Sequence, residues 1–337
     1  MLRTTNQRTF IAWAPYGRRS ELLARELGAD LYFIHYLKFK VPIYAPPKYL
    51  LQAMRTLQLL LAERPRVVFA QSPPFVCGLV ADWYCRLSGA HLVLDHHSDS
   101  FGPRWAWALP IQQRLVQHAL VNLVTNDHWA GVVESWGGAA LVLPDPFVDL
   151  PPGESFSTAA TFSIAYVNTF SADEPLDAVL VAAKMIPEVH FYITGSKQKA
   201  PRTISATALP NVTFTDFLPD PQYFGLLRSA HAVMALTTRD HTLQSGGCEA
   251  VSLGKPLITS DWPYLRELFA QGALFVANTP ESIAEGVRRM QQVHRDLERD
   301  VIDFRLQRRQ AWEAQFARLT ALVERCEYGM ALHTPLR

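Results

Sequence analysis

The chain has 337 residues, with 32 Lys and Arg against 31 Asp and Glu, a formal net charge of +1 and 49% hydrophobic residues. At roughly 150 residues per domain this length suits two domains with full cores, and the apolar share excludes a mainly disordered or collagen-like chain. The even charge argues against a dedicated nucleic-acid binder. Cys77, Cys85, Cys248 and Cys326 are scattered without a CxxC pair. Neither a disulfide scaffold nor a zinc knuckle is expected, which favours a reducing, cytosolic setting. No apolar run approaches the roughly 20 residues that span a bilayer. The first residues lack the long apolar core of a cleavable leader.

In chain order, short apolar runs alternate with helical spacing, the pattern of a parallel sheet covered by helices. Strands are expected at 10–14, 30–35, 66–70, 91–94, 120–125 and 140–143. Helices are expected at 20–27, at 49–63, through Cys85 and at 111–118. Residues 144–161, PDPFVDLPPGESFSTAAT, are rich in Pro, Ser and Thr without periodicity and read as a linker. The alternation then restarts, with strands at 163–167, 190–194, 212–214, 232–235, 256–259 and 273–276. Helices are expected at 175–185, 223–229 and 246–253, and a long polar one from Ser282 to about Glu324. The expected division is 1–150, a linker at 151–161, 162–305, and a helix and tail at 306–337. Two doubly wound α/β domains of similar size imply a cleft at their strand C-terminal ends, where open α/β sheets bind ligands.

Two segments carry candidate chemistry. In TTRDHTLQSGGCEAVSLGKP, 237–256, Ser245, Gly246 and Gly247 open a short helix bearing Glu249. Glycines there let a phosphate approach free N–H groups at the positive end of the helix dipole, and Glu249 is placed to accept from a ribose diol. A plain helix cap with a solvated glutamate is the alternative. In DHHSD, 95–99, Asp95, His96, His97 and Asp99 follow a strand end. A histidine beside a carboxylate suits a general base near neutral pH; a metal cluster would need a third ligand at standard spacing, which is absent. No DxD metal–diphosphate anchor is present, so a metal-free site is expected.

The blocks NVTFTDFLPD (211–220), SAHAVMAL (229–236), SGGCEAVSLGKPLITSD (245–261) and NTPESIAEGVRRM (278–290) resemble the C-terminal half of family-four glycosyltransferases of the GT-B fold. The resemblance implies two Rossmann-like domains, the first taking an acceptor and the second a nucleotide-sugar donor, UDP- or GDP-linked, with no further cofactor. It assigns Glu249 to the donor ribose, Ser245, Gly246 and Gly247 to the phosphates, and Phe217 and Leu218 to the base. Two departures stand out. The family's sugar-contacting first glutamate falls on His241, beside Asp240. The family's Arg and Lys after the first strand of this half are replaced by VNTFSADEP, 167–175, leaving Lys197, with Lys199, as the phosphate cation. In the first half, GRRS (17–20), QSPP (71–74), LVLDHHSDSFG (92–102) and VTND (124–127) resemble the eukaryotic chitobiosyldiphosphodolichol β-mannosyltransferases, which also lack that Arg–Lys pair. This implies His97, with Asp95 or Asp99, at the reacting carbon, and Gly17, Arg18 and Arg19 on the acceptor side.

Charge is unevenly placed. Residues 1–66 hold 11 Lys and Arg against four Asp and Glu, net +7; the remainder holds 21 against 27, net −6. Within the basic part, residues 31–50 interleave aromatics with Lys38, Lys40 and Lys48, a candidate peripheral membrane contact suited to a lipid-linked or cell-surface glycan acceptor. The expected activity is hexosyl transfer. A sugar-nucleotide epimerase and a catalytically degenerate GT-B partner subunit are the alternatives.

Overall fold

The computed structural model describes residues 7–37, 44–145, 147, 149–159, 161–199 and 209–328. The first half runs β1 (Arg8–Ala12), α1 (Arg18–Leu27), β2 (Asp30–Phe33), α2 (Ala45–Glu63), β3 (Val67–Ser72), α3 (Phe75–Ser88), β4 (His91–His96), α4 (Leu109–His118), β5 (Val121–Val124), α5 (Asp127–Ser135) and β6 (Ala140–Val142). Its six strands are all parallel in the order β2-β1-β3-β4-β5-β6. Such strands are covered on both faces and need continuous apolar runs. Val67–Ser72 is buried at every position.

The second half runs β7 (Ser163–Tyr166), α6 (Leu176–Met185), β8 (His190–Thr194), β9 (Val212–Asp216), α7 (Asp220–Ser229), β10 (Ala232–Ala235), α8 (Ser245–Ser252), β11 (Leu257–Ser260), α9 (Pro263–Leu268), β12 (Ala273–Val276) and α10 (Pro280–Glu327). Its parallel sheet has the order β12-β11-β10-β7-β8-β9. Ile164, Phe191, Met234 and Ile258 from its central strands meet Val179, Ile283 and Val287 from its helices in one core. The expected pair of doubly wound α/β sheets is therefore present.

The chain divides into two units, one of residues up to 146 together with those from Trp312, the other of residues 147–311. Helix α10 runs unbroken through the boundary expected at 305–306, as far as Glu327. Its last turns complete the first unit's packing. Trp312 Nε1 donates to the Pro144 carbonyl at 3.1 Å, Leu319 and Val323 are fully buried, and Glu327 takes both Arg8 Nε and Nη2 at 2.7 and 2.8 Å.

The Pro-rich segment is docked rather than loose. Glu154 N donates to the Pro221 carbonyl at 2.8 Å, Ala159 N donates to Tyr192 Oη at 2.8 Å, and Phe156 stands edge-on to Tyr192. Gly225 of α7 lets this strap approach backbone to backbone, since a Cβ there would overlap the Glu154 carbonyl. Gly225→Ala should cost about 1–3 kcal/mol through overpacking. Gly131→Ala, on α5 where a Cβ meets nothing within 4 Å, should be neutral or slightly stabilising. Urea unfolding of the two variants checks both.

Candidate functional site

Each sheet reverses its winding once, between β1 and β3 in the first unit and between β7 and β10 in the second. The strand C-terminal ends beside such a reversal are where ligands enter this architecture.

In the first unit, β3 and β4 end side by side, Gln71 opposite Asp95 and Ser72 opposite His96. Main-chain bonds fix the turn after β4: His97 N donates to the Ser72 carbonyl at 2.8 Å, and Ser100 Oγ donates to the same carbonyl at 2.6 Å. Asp95 is fully buried and accepts from Arg19 Nε at 2.9 Å. Arg19, also buried, bonds Asp145 Oδ1 at 3.1 Å and the Leu143 carbonyl at 2.9 Å. Burial opposes ionisation of Asp95, but the Arg19 guanidinium and then His97 outweigh it and hold the carboxyl well below the usual range. Asp95 Oδ2 faces His97 Nε2 at 3.7 Å, both otherwise unpartnered. The rest of the His97 side chain is about one-third exposed. His96 points the other way, its Nε2 3.0 Å from Asn122 Oδ1, and burial pushes it down to about 4. It is a neutral core residue at physiological pH.

These contacts correct two expectations. Arg19 does not face an acceptor; it is a buried anchor for Asp95. Asp95 makes a poor base, because its fully buried carboxyl is held well below the usual range by Arg19, and its other oxygen faces His97. Arg18 is half-buried with its guanidinium 5.7 Å from the Tyr16 ring centroid. Gly17 caps α1 in extended backbone, and a Cβ there would make only ordinary contacts from 3.5 Å outward. Asp99 is half-buried in a short 3-10 turn, Ser98–Phe101.

In the second unit, the loops after β7 and β10 are stapled by Asp173. Its Oδ2 accepts from Thr237 Oγ1 at 2.9 Å and from Gln244 Nε2 at 3.4 Å, and its carbonyl accepts from Thr238 N at 2.7 Å. Glu174 folds back on the same loop, accepting from Thr169 N and Ser171 N, each at 2.8 Å. Burial raises its pKa despite those donors. This is the loop that carries no Arg–Lys pair: two carboxylates stand there instead. Asp173 and Gln244 went unassigned in the sequence because each is unremarkable locally; a carboxylate just past a strand end is the signal that marks Asp173.

Helix α8 begins at Ser245, which is exposed. Gly246 and Gly247 are explained by packing, since a Cβ would lie 2.7 Å from Val167 at the first and 2.6 Å from the Phe269 ring at the second. The glycines bring α8 onto the sheet, so their lack of a side chain is not evidence of a phosphate. Glu249 is 8% exposed and accepts from Tyr223 Oη of α7. Asp240 and His241 lie together, His241 Nε2 3.5 Å from Asp240 Oδ2, with His241 at a φ of +53°. Lys197 is exposed and its N–H donates to Asp216 Oδ1 at 2.9 Å; Phe217 is 69% exposed and Leu218 half-buried.

Of the basic aromatic stretch 31–50, Lys38 and Lys40 lie outside the described residues. Lys48 is buried with its ammonium 4.8 Å from the Tyr49 ring centroid, so it offers no charge to a surface. Among the described residues, no three His, Cys, Asp or Glu side chains are grouped to hold a metal ion.

Comparison with known proteins bears on the fold. Residues 177–320 match the family described as Glycosyl transferase-like. No curated protein matches the chain. Among solved structures, it is similar to sucrose-phosphate synthase from Thermosynechococcus elongatus at 15% identity and a TM-score of 0.73, covering 96% of this chain and 99% of that one. It is also similar to HepE of Anabaena in complex with UDP-glucose, at 13% identity and a TM-score of 0.70, covering 93% and 99%. The α,α-trehalose 6-phosphate synthase of Burkholderia multivorans is similar at 12% identity and a TM-score of 0.64, covering 87% and 78%. The fold is the GT-B fold of glycosyltransferases.

Proposed function

We propose that this chain is a glycosyltransferase that moves a hexose from a nucleotide diphosphate sugar to a lipid-linked or cell-surface glycan acceptor in the cytoplasm, along the lines of the family-four enzymes and the β-mannosyltransferases. One observation carries the reading: the span matching the Glycosyl transferase-like family includes the loop after β10 and α8, with Glu249 near its centre. The UDP and UDP-glucose held by HepE support a nucleotide-sugar donor.

In this reading the second unit holds the donor. Glu249 takes the ribose, the N–H groups of Ser245, Gly246 and Gly247 with Lys197 take the diphosphate, Phe217 and Leu218 flank the base, and Asp240 and His241 reach the sugar. The first unit takes the acceptor beside Gly17 and Arg18. His97 is the base. Ionised Asp95 favours a proton on Nε2, leaving the Nδ1 lone pair to receive the acceptor hydroxyl's proton as that oxygen bonds to the anomeric carbon and the nucleoside diphosphate departs. Such a displacement inverts the anomeric centre. Asp99 is the second carboxylate near this step.

A thermal-shift panel of UDP- and GDP-sugars tests the donor assignment. One of them should stabilise the wild-type protein, and Glu249→Ala should shift less at equal ligand. Equal shifts would remove Glu249 from the donor site. The acidic loop at Asp173 and Glu174 favours a second reading, a partner subunit that retains the fold without transfer; no shift with any nucleotide sugar selects it. Turnover without an acceptor selects an epimerase.

A further inference from the structure

Helix α2 is built inside out. Its inward line includes Lys48, Gln52 and Thr56 beside Leu59 and Leu60. Gln52 Nε2 donates to the Ile34 carbonyl at 2.7 Å, and Thr56 Oγ1 accepts from Trp13 Nε1 at 2.9 Å. The outward face carries Leu50, Met54 and Leu61, each about 60% exposed, and Leu51 at 42%, with Arg55 and Gln58 as its exposed polar residues between Leu50 and Leu61. A helix that met only water on that side would carry polar residues there.

Helix α3 continues the pattern. Leu79, Trp83 and Leu87, at i, i+4 and i+8, form its exposed stripe, with Trp83 at 55% and Leu87 at 70%. Helix α2 packs on α3, and α3 on α4. Right-handed crossovers put all three on one side of the sheet, because the strands they lead into succeed one another in the same direction. Trp107, 72% exposed, stands edge-on to Phe75 at the start of α3 with ring centroids 5.5 Å apart. Surface apolar residues scattered singly need no explanation, whereas a continuous set of this kind marks a contact.

The charges on this face select the contact. Arg55, Arg104 and Arg114 are exposed. The carboxylates on α2, α3 and α4 are Glu63, which accepts from Tyr32 Oη at 3.3 Å, and Asp82, which pairs with Arg86 at 2.9 Å. Two copies of a cationic face repel each other, whereas anionic headgroups complement it. Among the described residues no helix is long and apolar enough to cross a membrane, so the contact is one of docking.

We propose that the outer face of α2, α3 and the start of α4 docks on an anionic lipid bilayer, its apolar side chains entering the headgroup region and its arginines meeting lipid phosphates. The proposal stands on this surface alone, independently of the transfer reading, and of the stretch 31–50 it uses only Leu50. Sedimentation with vesicles of phosphatidylcholine mixed with phosphatidylglycerol should pellet the wild-type protein, and added salt should release it. Phosphatidylcholine vesicles alone should retain much less. The triple variant Leu50→Ser, Met54→Ser, Trp83→Ser should partition at least about tenfold less. Arg55→Glu with Arg104→Glu should abolish the preference for anionic vesicles. All five positions are exposed, so unfolding midpoints should stay at the wild-type value. Brominated lipid should quench tryptophan fluorescence in the wild type and quench less after Trp83→Phe and Trp107→Phe. A wild type that stays in the supernatant with both vesicle types, or a triple variant that pellets like it, overturns the proposal. So does a concentration-dependent dimer that the triple variant abolishes without any vesicle binding, which assigns the face to a second copy.

Discussion

Arg19→Met should destabilise the protein by about 3–5 kcal/mol at neutral pH, because it strands the fully buried Asp95 carboxylate. Asp145, the guanidinium's other carboxylate partner, lies nearer the surface and is less affected. Adding Asp95→Leu to Arg19→Met should recover much of the loss, since removing both charges costs far less than removing one. The pH dependence distinguishes this from a simple packing defect. In the wild type the folded pKa of Asp95 lies below its unfolded value of about 3.9. Its stabilising contribution is therefore present above that value and is lost as pH falls toward the folded pKa. Without Arg19, only His97 is left to offset burial, so the folded pKa rises and the variant's deficit shrinks on acidification through the carboxylate range. Urea midpoints for both proteins between neutral pH and the acid range check the two slopes. A deficit that is constant with pH would refute the ion-pair account.

His97→Ala should lower kcat by about 10²- to 10⁴-fold, the usual contribution of a positioned general base. KM for the nucleotide sugar should change little, because in the proposed arrangement His97 serves the acceptor step and the second unit holds the donor. Unfolding midpoints should fall far less than in Arg19→Met, since the side chain is part-exposed and Arg19 stays on Asp95. Steady-state kinetics with the donor identified by thermal shift gives both parameters. Wild-type kcat in this variant would exclude His97 as the base and, with it, the inverting displacement proposed above. Asp95, held ionised far below neutrality, should contribute no limb to the pH–rate profile near neutral pH.

Much of the architecture was legible because parallel strands covered on both faces leave unbroken apolar runs, as at Val67–Ser72, and because turns with Gly and Pro separate them. Helix α5 was missed although its start is marked. Asn126 caps it by accepting from Trp129 N at 3.1 Å, and Ala130 and Val133 give its buried spacing. The strand expected at 120–125 stops just short of this cap, and no helix is read after it. Helix α9 is six residues long and opens on Pro263, too short for periodicity to register. At the site, the His97 cluster was legible because residues adjacent in sequence stay adjacent after a strand end. Arg19 was not, since its partner is 76 residues away and local spacing cannot report a buried ion pair. The packing need for Gly246 and Gly247 is hidden for the same reason: Val167 and Phe269, which leave no room for a Cβ, are distant in sequence. Helix α2 has leucines at helical spacing, and spacing alone does not say which side of the helix is wet.

The return of α10 to the first unit bears on how the chain is made. Domains ordinarily fold in order of synthesis, the N-terminal one first. Here the residues of the second unit, 147–311, have all emerged from the ribosome before Trp312 appears. The earlier-made unit still lacks the indole that caps Pro144 and the carboxylate that clasps Arg8. Its final consolidation must therefore wait for the last turns of α10. A released chain that stops before Trp312 holds every residue of the second unit and lacks the part of the first that α10 supplies.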